Sequence, residues 1–396
     1  MRWIDEDQDL DVVLQDLAEA DTYYIDTEFE STRRQTRLSV IQVSRGTELY
    51  LLDALKLTRM RELGEVMVRP DVQWVLHSGL QDVELLLEAF RQPKPPLLFD
   101  TQLAWALLGP ESSVSLAYLQ FKLLGVRLMK THQADDWMRR PLPPSQLQYA
   151  ASDIEYLPKL YEQLAARLEQ AGKREALNEL CHEMLWPKPE LPPELTLASF
   201  RNAWQLHPKN QAALRYLMSW YNELPAWERS HAPGVKTLLS IASRMPKNAK
   251  DLLRIKGLPP QFSRGHAETI VRGISRAVRE TTNDQFVSID PEPYTTFEDV
   301  VLDAWLNTLR CQVSAAAEIA PEFAFPPRVL KQLRDTISAG RSSELVEQLC
   351  GWRSALLGPP TRRFLSQYPP ENLTPNPVGR ATPSRVPRAP SLLSTA

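Results

Sequence analysis

The sequence of 396 residues has little cysteine, and the three that it has, Cys181, Cys311 and Cys350, are far apart and form no CxxC pair. This spacing excludes a disulfide framework and a cysteine zinc site, and it favours reduced, structural thiols. No stretch approaches the roughly 18 continuous apolar residues that a membrane-spanning helix needs. The acidic first residues, MRWIDEDQDLD, are unlike a signal peptide. We therefore expect a cytoplasmic protein without membrane contact.

The chain also has little net charge, −3 at pH 7, but this small value hides a separation of charge along the sequence. Subtracting Asp and Glu from Lys and Arg gives −10 for residues 1–190, +8 for residues 191–280 and −1 for residues 281–396. An acidic first region needs bound cations before it can accept an anionic substrate. The basic segment could attract phosphates, although ordinary surface charge for solubility gives the same count.

Four acids and one tyrosine stand in three blocks of the first 157 residues, YYIDTEFE, VLHSGLQDVELL and LQYAASDIEYL. Asp26 and Glu28 are two apart in an apolar run with strand character, so both leave the same face of a sheet. Tyr149 and Asp153 are four apart in a helical pattern and share one stripe of that helix. Asp82 lies near the start of another helix. Converging blocks of this kind can place four carboxylates around two Mg²⁺ or Mn²⁺ ions, a site that serves phosphodiester cleavage.

The order, spacing and context of these blocks resemble the DEDD family of 3′→5′ exonucleases. In that family the first block carries D-x-E, the second ends in a metal-binding Asp and the third reads Y-x₃-D. The tyrosine in the third block is typical of the DEDDy subgroup. Within the subgroup the chain is similar to ribonuclease D, through the stretches RLSVIQVS, LFDTQLAWALLG and LLGVRLMKTHQADDWMRRPL.

The resemblance implies roles for the catalytic residues. A phenol with an ordinary pKa near 10 is a poor base at neutral pH, so Tyr149 is expected to orient the attacking water. Asp100 is interpreted as the N-cap of a helix and not as a fifth ligand. The implied metal ligands, for two Mg²⁺ or Mn²⁺ ions, are Asp26, Glu28, Asp82 and Asp153.

Substrate contacts are predicted beside these ligands and in the basic segment. Phe29 could stack on a base or pack in the core. The candidate contacts near the site are Thr27, Phe29, His77 and Lys130. The candidate RNA contacts in the basic segment are Lys247, Lys250, Arg254, Lys256, Arg264, His266 and Arg272.

Apolar periodicity predicts an α/β fold in the first region. Three runs, residues 22–29, 37–43 and 47–52, predict an antiparallel meander. This order of elements fits the ribonuclease H-like exonuclease fold that the resemblance implies, a mixed sheet flanked by helices. Further predicted elements are a helix over 59–68, a strand over 73–77, a helix over 82–90, a strand over 97–99, a helix from Asp100 to Leu108 and one long helix over 144–171.

The later part of the chain is expected to be all-helical. The stretches LRYLMSWYNELPAWERS, LLSIASRMPKNAKDLLRIKGL and RGHAETIVRGI resemble the HRDC domain, a small helical bundle. The predicted division is a DEDDy 3′→5′ exonuclease domain over 1–185, a proline-rich linker over 186–195, an HRDC domain over 196–282, a second, divergent HRDC-like helical domain over 290–368 and a disordered tail over 369–396.

The resemblance implies an exoribonuclease that hydrolyses RNA from a free 3′ end to nucleoside 5′-monophosphates by a two-metal-ion mechanism. The family suggests 3′ processing of tRNA precursors and other small stable RNAs, and it implies no obligate protein partner. Two alternatives remain open, a DNA-directed 3′→5′ exonuclease and a non-catalytic nucleic-acid-binding scaffold. Because the catalytic candidates all precede Pro193, a chain that ends there is expected to keep the complete site.

Overall fold

The computed structural model describes residues 1–32, 35–127, 135–186, 192, 194–281 and 295–373, with residues 198, 226 and 260–264 described by their backbone only. The chain divides into two compact units. One unit, which we call the sheet unit, joins Met1–Pro187 to Glu298–Ala396, and the other, the middle bundle, is Lys188–Phe297.

The sheet unit is built on six strands: β1 (Arg2–Ile4), β2 (Thr22–Ser31), β3 (Thr36–Ser44), β4 (Leu49–Asp53), β5 (Gln73–Leu76) and β6 (Leu97–Asp100). Their order in the sheet is β1-β4-β3-β2-β5-β6. β2, β3 and β4 pair antiparallel, whereas β1 pairs with β4, β5 with β2 and β6 with β5 in parallel. The predicted meander is confirmed, and β1 is an additional strand that the apolar pattern did not predict.

Eight helices cover the sheet within residues 1–186 as described. Helices lie on both faces of the sheet, so both faces of its central strands are buried. These strands are therefore almost entirely apolar, and Ile41, Val43 and Leu52 are fully buried. The helices are α1 (Leu10–Ala18), α2 (Met60–Met67), α3 (Leu80–Phe90), α4 (Thr101–Ala106), α5 (Leu116–Leu124), α6 (Pro144–Glu155), α7 (Leu157–Gln170) and α8 (Arg174–Leu185).

The single long helix predicted over residues 144–171 is wrong, because α6 and α7 are separate helices that meet at Tyr156. Pro158 is the second residue of α7. Proline has no backbone N–H, so it cannot continue the hydrogen-bond ladder of the preceding helix. The break lets α6 lie over β2, β3 and β4 while α7 packs on β5 and α4.

The helices after residue 297 share the core of the sheet unit. They are α14 (Phe297–Ala317), α15 (Pro321–Ala324), α16 (Pro327–Ser338) and α17 (Trp352–Gln367). Leu309, Phe325 and Phe364 belong to the same cluster of buried apolar side chains as Leu107 and Leu177. The predicted second helical domain over 290–368 therefore packs directly on the sheet unit in its described part.

Polar contacts secure this packing. Lys173, which is 6% exposed, donates from Nζ to the carbonyl oxygens of Leu107 at 2.8 Å, Ala317 at 2.7 Å and Glu318 at 3.0 Å. Arg353 Nη1 donates to Glu183 Oε2 at 2.6 Å. One ammonium thus binds carbonyls at the C-terminal ends of α4 and α14, where the helices leave such groups without partners.

The middle bundle has a core of its own. Its helices are α9 (Pro208–Glu223), α10 (Ala226–Arg229), α11 (Val235–Arg244), α12 (Ala249–Leu253) and α13 (Pro260–Glu280). Leu217, Ile241 and Ile270 are fully or almost fully buried in it. At the contact of α9 with α13, a Cβ atom on Gly273 would lie 1.8 Å from Cζ of Tyr216, so only glycine lets this ring pack there.

Among the described residues, no helix has the length and apolar character needed to cross a membrane. The predicted tail over 369–396 falls outside the described residues except for its first part, in which Pro370–Leu373 forms one 3₁₀ turn. The likeness of the middle bundle to an HRDC domain and the predicted domain boundaries stay predictions.

Candidate active site

The candidate site lies beyond the end of β5. This strand pairs with β2 only as far as Val75, which is opposite Tyr24. Asp26 and Glu28 follow on β2, and strand alternation places both on the same face. The carboxyl ends of parallel strands form the edge at which open α/β sheets hold their ligands.

A tight turn brings the third acid to this edge. Ser78 has a φ of 55°, and a Cβ atom on Gly79 would lie 2.6 Å from Cβ of Leu76. α3 therefore begins directly after β5, and Asp82 lies in its first turn, 8% exposed. The hydroxyl of Thr27 donates to Oδ1 of Asp82. Thr27, predicted as a substrate contact, thus uses its side chain to hold an acid.

Asp100 organises the same turn from β6. Its carboxylate accepts from the backbone amides of Ser78 at 3.1 Å and Gly79 at 3.0 Å, just before α3. It also accepts from Gln102 at 2.8 Å and Leu103 at 3.2 Å, in the first turn of α4. The predicted N-cap is confirmed. Four backbone donors occupy this carboxylate, which supports a structural role in place of metal binding.

The fourth acid and the tyrosine come from α6. Tyr149 and Asp153 lie one turn apart on this helix, and both line the same cleft. The Tyr149 ring lies 6.2 Å from the ring of Trp137, in the small core beneath α6. The structure therefore brings the five predicted catalytic residues, which come from three distant segments, into one place.

The acids strongly perturb one another. Burial, and after it the charges of Asp82 and Asp153, raise the pKa of Asp26 well above its ordinary value. Burial and the same two charges raise the pKa of Glu28 to about 8. Burial also raises the pKa of Asp82, although the Thr27 hydroxyl opposes that rise. Four carboxyl groups are thus crowded into a site that is partly shielded from water. Keeping all four ionised destabilises the folded protein unless a cation compensates their charge.

Tyr149 is shifted in the same direction. Burial, followed by the charge of Asp153, raises the pKa of its phenol above the ordinary value. The hydroxyl therefore stays protonated at neutral pH. It can donate a hydrogen bond and orient a neighbouring molecule, but it is a poor base.

Asp53, another buried acid on the same sheet, has its negative charge compensated by a cationic side chain. Asp53 is completely buried at the end of β4, and Arg140 binds it with two hydrogen bonds, from Nε at 2.6 Å and from Nη2 at 2.7 Å. Among the described residues, no lysine or arginine is a named cause of the pKa shift of Asp26 or Glu28. In the described part of the sheet unit, one buried acid is thus neutralised by a guanidinium, whereas these two acids have no such partner.

Hard oxygen donors of this kind suit Mg²⁺ or Mn²⁺. As the side chains stand, no three or more His, Cys, Asp or Glu residues in the described part of the chain form a group that could hold a metal ion. Carboxylates that repel one another draw together only when a cation neutralises them. The chemistry of the donor set therefore fits a divalent ion, and the predicted ligand set stays a prediction.

Asp26 and Asp153 line a cleft of about 360 Å³. No lysine or arginine lines it among the described residues. His77 lies in its wall, with Nδ1 2.9 Å from Oγ1 of Thr101 and Nε2 3.0 Å from the carbonyl oxygen of Val114. Both ring nitrogens of this predicted substrate contact are therefore used within the protein. The lining includes Asp26, Tyr149, Asp153, Ser78, Gln102, Val114, Ser115, Leu116, Ala117, Gln120 and Leu157.

The other predicted contacts are dispersed. Phe29 is half-buried, pairs with Leu38 next to a β-bulge, and is not part of the described lining of the cleft. Lys130 lies outside the described residues, as does the side chain of Arg264. In the middle bundle, His266 binds Glu228 at 2.6 Å.

The remaining basic candidates are at the surface of the middle bundle. Arg272 is exposed and lies 3.9 Å from Glu268. Lys247, Lys250, Arg254 and Lys256 are exposed on α12 and its flanking loops.

Sequence reasoning missed several amides near the site. Gln42 lies opposite Asp26 on β3, is fully buried, and has no hydrogen-bond partner for either amide atom. Gln102 and Gln120 line the cleft. Glutamine takes part in no motif of fixed spacing here, so only the fold could reveal these positions.

Comparison with known proteins decides the family. A family model described as a 3′-5′ exonuclease matches residues 1–169. A ribonuclease D of Serratia proteamaculans is 30% identical over 357 residues, which cover 87% of this chain and 93% of the relative. The chain belongs to the ribonuclease D family. A ribonuclease D of a Shewanella species is 31% identical over 70% of this chain and 72% of its own length.

Solved structures agree with this ribonuclease D assignment. The crystal structure of Escherichia coli RNase D, described as an exoribonuclease involved in structured RNA processing, is 27% identical and has a TM-score of 0.60. The match covers 93% of this chain and 99% of that one. The predicted resemblance, fold class and enzyme class are therefore confirmed: the protein is a 3′→5′ exonuclease of the ribonuclease D family. A non-catalytic scaffold is correspondingly disfavoured.

Proposed function

We propose that this protein hydrolyses RNA from a free 3′ end and releases nucleoside 5′-monophosphates one at a time. The observation that carries the proposal is that Asp26, Glu28, Asp82 and Asp153 lie close enough to perturb one another, and that Asp26 and Asp153 line a cleft with no lysine or arginine in its described lining. Relatives named ribonuclease D support RNA as the substrate.

The four carboxylates would hold two Mg²⁺ or Mn²⁺ ions, and these ions, when bound, supply Lewis-acid activation of water and neutralise charge at the leaving 3′ oxygen. The pKa of the Tyr149 phenol is raised by burial and by the charge of Asp153, so the phenol stays protonated at neutral pH. Its role would be to fix the position of the attacking water by a hydrogen bond. Thr27 holds Asp82, and Asp100 holds the start of α3, so both maintain the geometry of a ligand.

The physiological substrates would be structured RNAs that need 3′ trimming, such as tRNA precursors. The RNase D of Escherichia coli is described as acting in structured RNA processing, which supports this class of substrate. The middle bundle contributes a net charge of +8 over residues 191–280, which suits the attraction of RNA phosphates.

The test is a 5′-labelled single-stranded RNA incubated with Mg²⁺ or with EDTA. We expect a ladder that shortens from the 3′ end, release of 5′-monophosphates and no activity in EDTA. A 3′-phosphate should block degradation, whereas a 5′-phosphate should not. Cleavage of a circular RNA would contradict the proposal, and faster hydrolysis of a matched DNA would favour the DNA-directed alternative.

Tyr149→Phe separates orientation of water from binding of RNA. It removes only the hydroxyl, so we expect turnover to fall on the order of 10²-fold with little change in affinity for RNA. An equal loss of affinity would show that Tyr149 binds substrate.

A further inference from the structure

α5 forms part of the wall of the cleft that Asp26 and Asp153 also line. Leu116, Ala117 and Gln120 line it. Residues at positions i and i+4 share one face of a helix, so this face of α5 is the one turned to the cleft. Lys122 and Phe121, which follow Gln120, are exposed to solvent.

Gln120 is unusual on this face because it is only 1% exposed and its Nε2 atom has no hydrogen-bond partner among the described residues. A buried amide donor without a partner destabilises the fold, so such groups in proteins are normally satisfied by protein, water or ligand. Gln73, another buried glutamine of the sheet unit, follows that rule, since its Oε1 accepts from Arg174 at 3.1 Å.

The polarity of the other lining residues indicates which part of a ligand would bind beside Gln120. Hydroxyl and amide groups of Ser78, Gln102 and Ser115 alternate with apolar Val114 and Leu157, and no lysine or arginine is present in the described lining. A phosphate would find no cation there. An uncharged, partly apolar group with hydrogen-bond acceptors fits, and a nucleoside has that chemistry.

We propose that Gln120 is a positioning residue for the 3′-terminal nucleoside, donating from Nε2 to an uncharged acceptor on its base or on its 2′-hydroxyl. This inference rests on the proposed function, because the 3′-terminal nucleoside is joined through its 5′ oxygen to the scissile phosphate held at the acids. The hydrogen bond would hold the end of the RNA while the scissile phosphate lies beside Asp26 and Asp153.

The proposal predicts that replacing Gln120 affects the thermal stability of the protein and its binding of RNA in opposite directions. Gln120→Leu removes a buried donor that has no partner in the free protein, so the melting temperature should stay the same or rise. The same variant loses a contact that forms only with ligand. We expect KM for single-stranded RNA to rise about 3- to 10-fold with a smaller change in kcat, the loss expected for one uncharged hydrogen bond.

A matched control is Gln211→Leu in the middle bundle. Gln211 is also buried, at 7% exposure, and its Oε1 has no partner among the described residues, but it belongs to the middle bundle and is not part of the described lining of the cleft. This variant should leave KM and kcat unchanged. A general effect of replacing a buried amide by leucine would appear in both variants.

Binding must also be measured without hydrolysis, so that failure of the proposed function can be told from failure of this inference. We would measure the Kd of each nucleoside 5′-monophosphate with Mg²⁺ for the wild type and for Gln120→Leu. Weaker binding by the variant supports the role of Gln120 even if the wild type does not degrade RNA. Equal Kd values, or a lower melting temperature with an unchanged KM, would overturn it and mark Gln120 as a structural amide.

RNAs that end in a 2′-deoxynucleotide or in an abasic ribose identify the acceptor. If the 2′-hydroxyl is the partner, the wild type should lose affinity for the deoxy end, and Gln120→Leu should bind both ends alike. If the base is the partner, the abasic end should erase the difference between wild type and variant. If neither modified end changes that difference, the inference is wrong.

Discussion

Two helical regions follow the nuclease sequence, and they relate to it in different ways. The middle bundle, described over 194–281, buries its apolar side chains in a cluster of its own. The helices over 298–373 place theirs in the cluster that also contains Leu107 and Leu177 of the sheet unit. Sequence patterns predict the same thing for both, an amphipathic helical bundle of HRDC type.

The difference shows that a region can look like an appended domain in sequence and still be part of another domain's core. Hydrophobic periodicity tells which face of a helix is buried, but it does not tell against what. The expectation that a chain ending near Pro193 keeps a complete site is therefore incomplete. Such a chain would have all five catalytic residues but would lack the helices that cover α4 and α8.

The largest expected effect is the difference in folding between a chain without the last helices and a chain without the middle bundle. A chain that ends after Thr281 should be insoluble or unfolded, because it exposes the apolar surface under α14 and α17 and leaves Lys173 buried without two of its three acceptors. Replacing 188–297 by a flexible Gly-Ser linker should leave a folded protein that degrades short single-stranded RNA. Circular dichroism and hydrolysis of a short oligonucleotide check both, and a folded, active chain ending at Thr281 would refute the contrast.

A single substitution among the acids should separate chemistry from RNA affinity. Asp153→Asn removes a charge that the metal ions need, so hydrolysis should fall by about 10³-fold or more. Without metal the variant should melt at a higher temperature, because it relieves repulsion with Asp26 and Glu28. Affinity for tRNA through the middle bundle should hardly change. Activity within a few-fold of the wild type would remove Asp153 from the site.

The same repulsion predicts how the metal-free protein responds to pH. The pKa of Glu28 is raised to about 8, above its ordinary value of 4.5, so folding takes up a proton between these values. The stability that this group contributes is complete below about pH 4.5 and is lost as the pH rises towards 8. Thermal melts in EDTA across this range check the sign, with Asp153→Asn as the variant in which the slope should be shallower.

The junction between the sheet unit and its last helices can be tested at Lys173. Lys173→Met keeps the length of the side chain but leaves three carbonyl oxygens without their donor, so we expect a loss of about 2–4 kcal/mol in the free energy of unfolding. Lys331→Met is the control, because Lys331 is exposed and its ion pair with Asp335 is a surface pair. If denaturant unfolding shows that Lys173→Met and Lys331→Met lower the free energy of unfolding by the same small amount, the junction depends on apolar packing alone.

The smallest effect is expected in the middle bundle. Changing Lys247, Lys250, Arg254 and Lys256 together to alanine should weaken tRNA binding and lower the slope of log K against log salt by about 2 to 4. The control changes Arg276 to glutamine, since this arginine faces Glu280 and is not one of the predicted RNA contacts. An unchanged slope in the fourfold variant would leave the charge of the bundle as ordinary surface.

The sequence predicted the parts of the site that depend on local spacing. Asp26 with Glu28 and Tyr149 with Asp153 follow from the two-residue and four-residue periods of strand and helix, and Asp100 from its place before a helix. The break at Tyr156 and the amides of Gln42 and Gln120 were missed. The break follows from Pro158, a local signal that the helical period does not include, whereas the two amides depend on what packs beside each residue.

Asp100 has a consequence for how functional screens of this protein should be interpreted. Its carboxylate joins the starts of α3 and α4 through four backbone amides. In a saturation library selected for RNA degradation, most changes at Asp100 would score as inactive, in the same way as changes at Asp26 or Asp153. Only a parallel measurement of the amount of folded protein for every variant would separate Asp100, which holds the structure of the site, from the predicted catalytic acids Asp26 and Asp153.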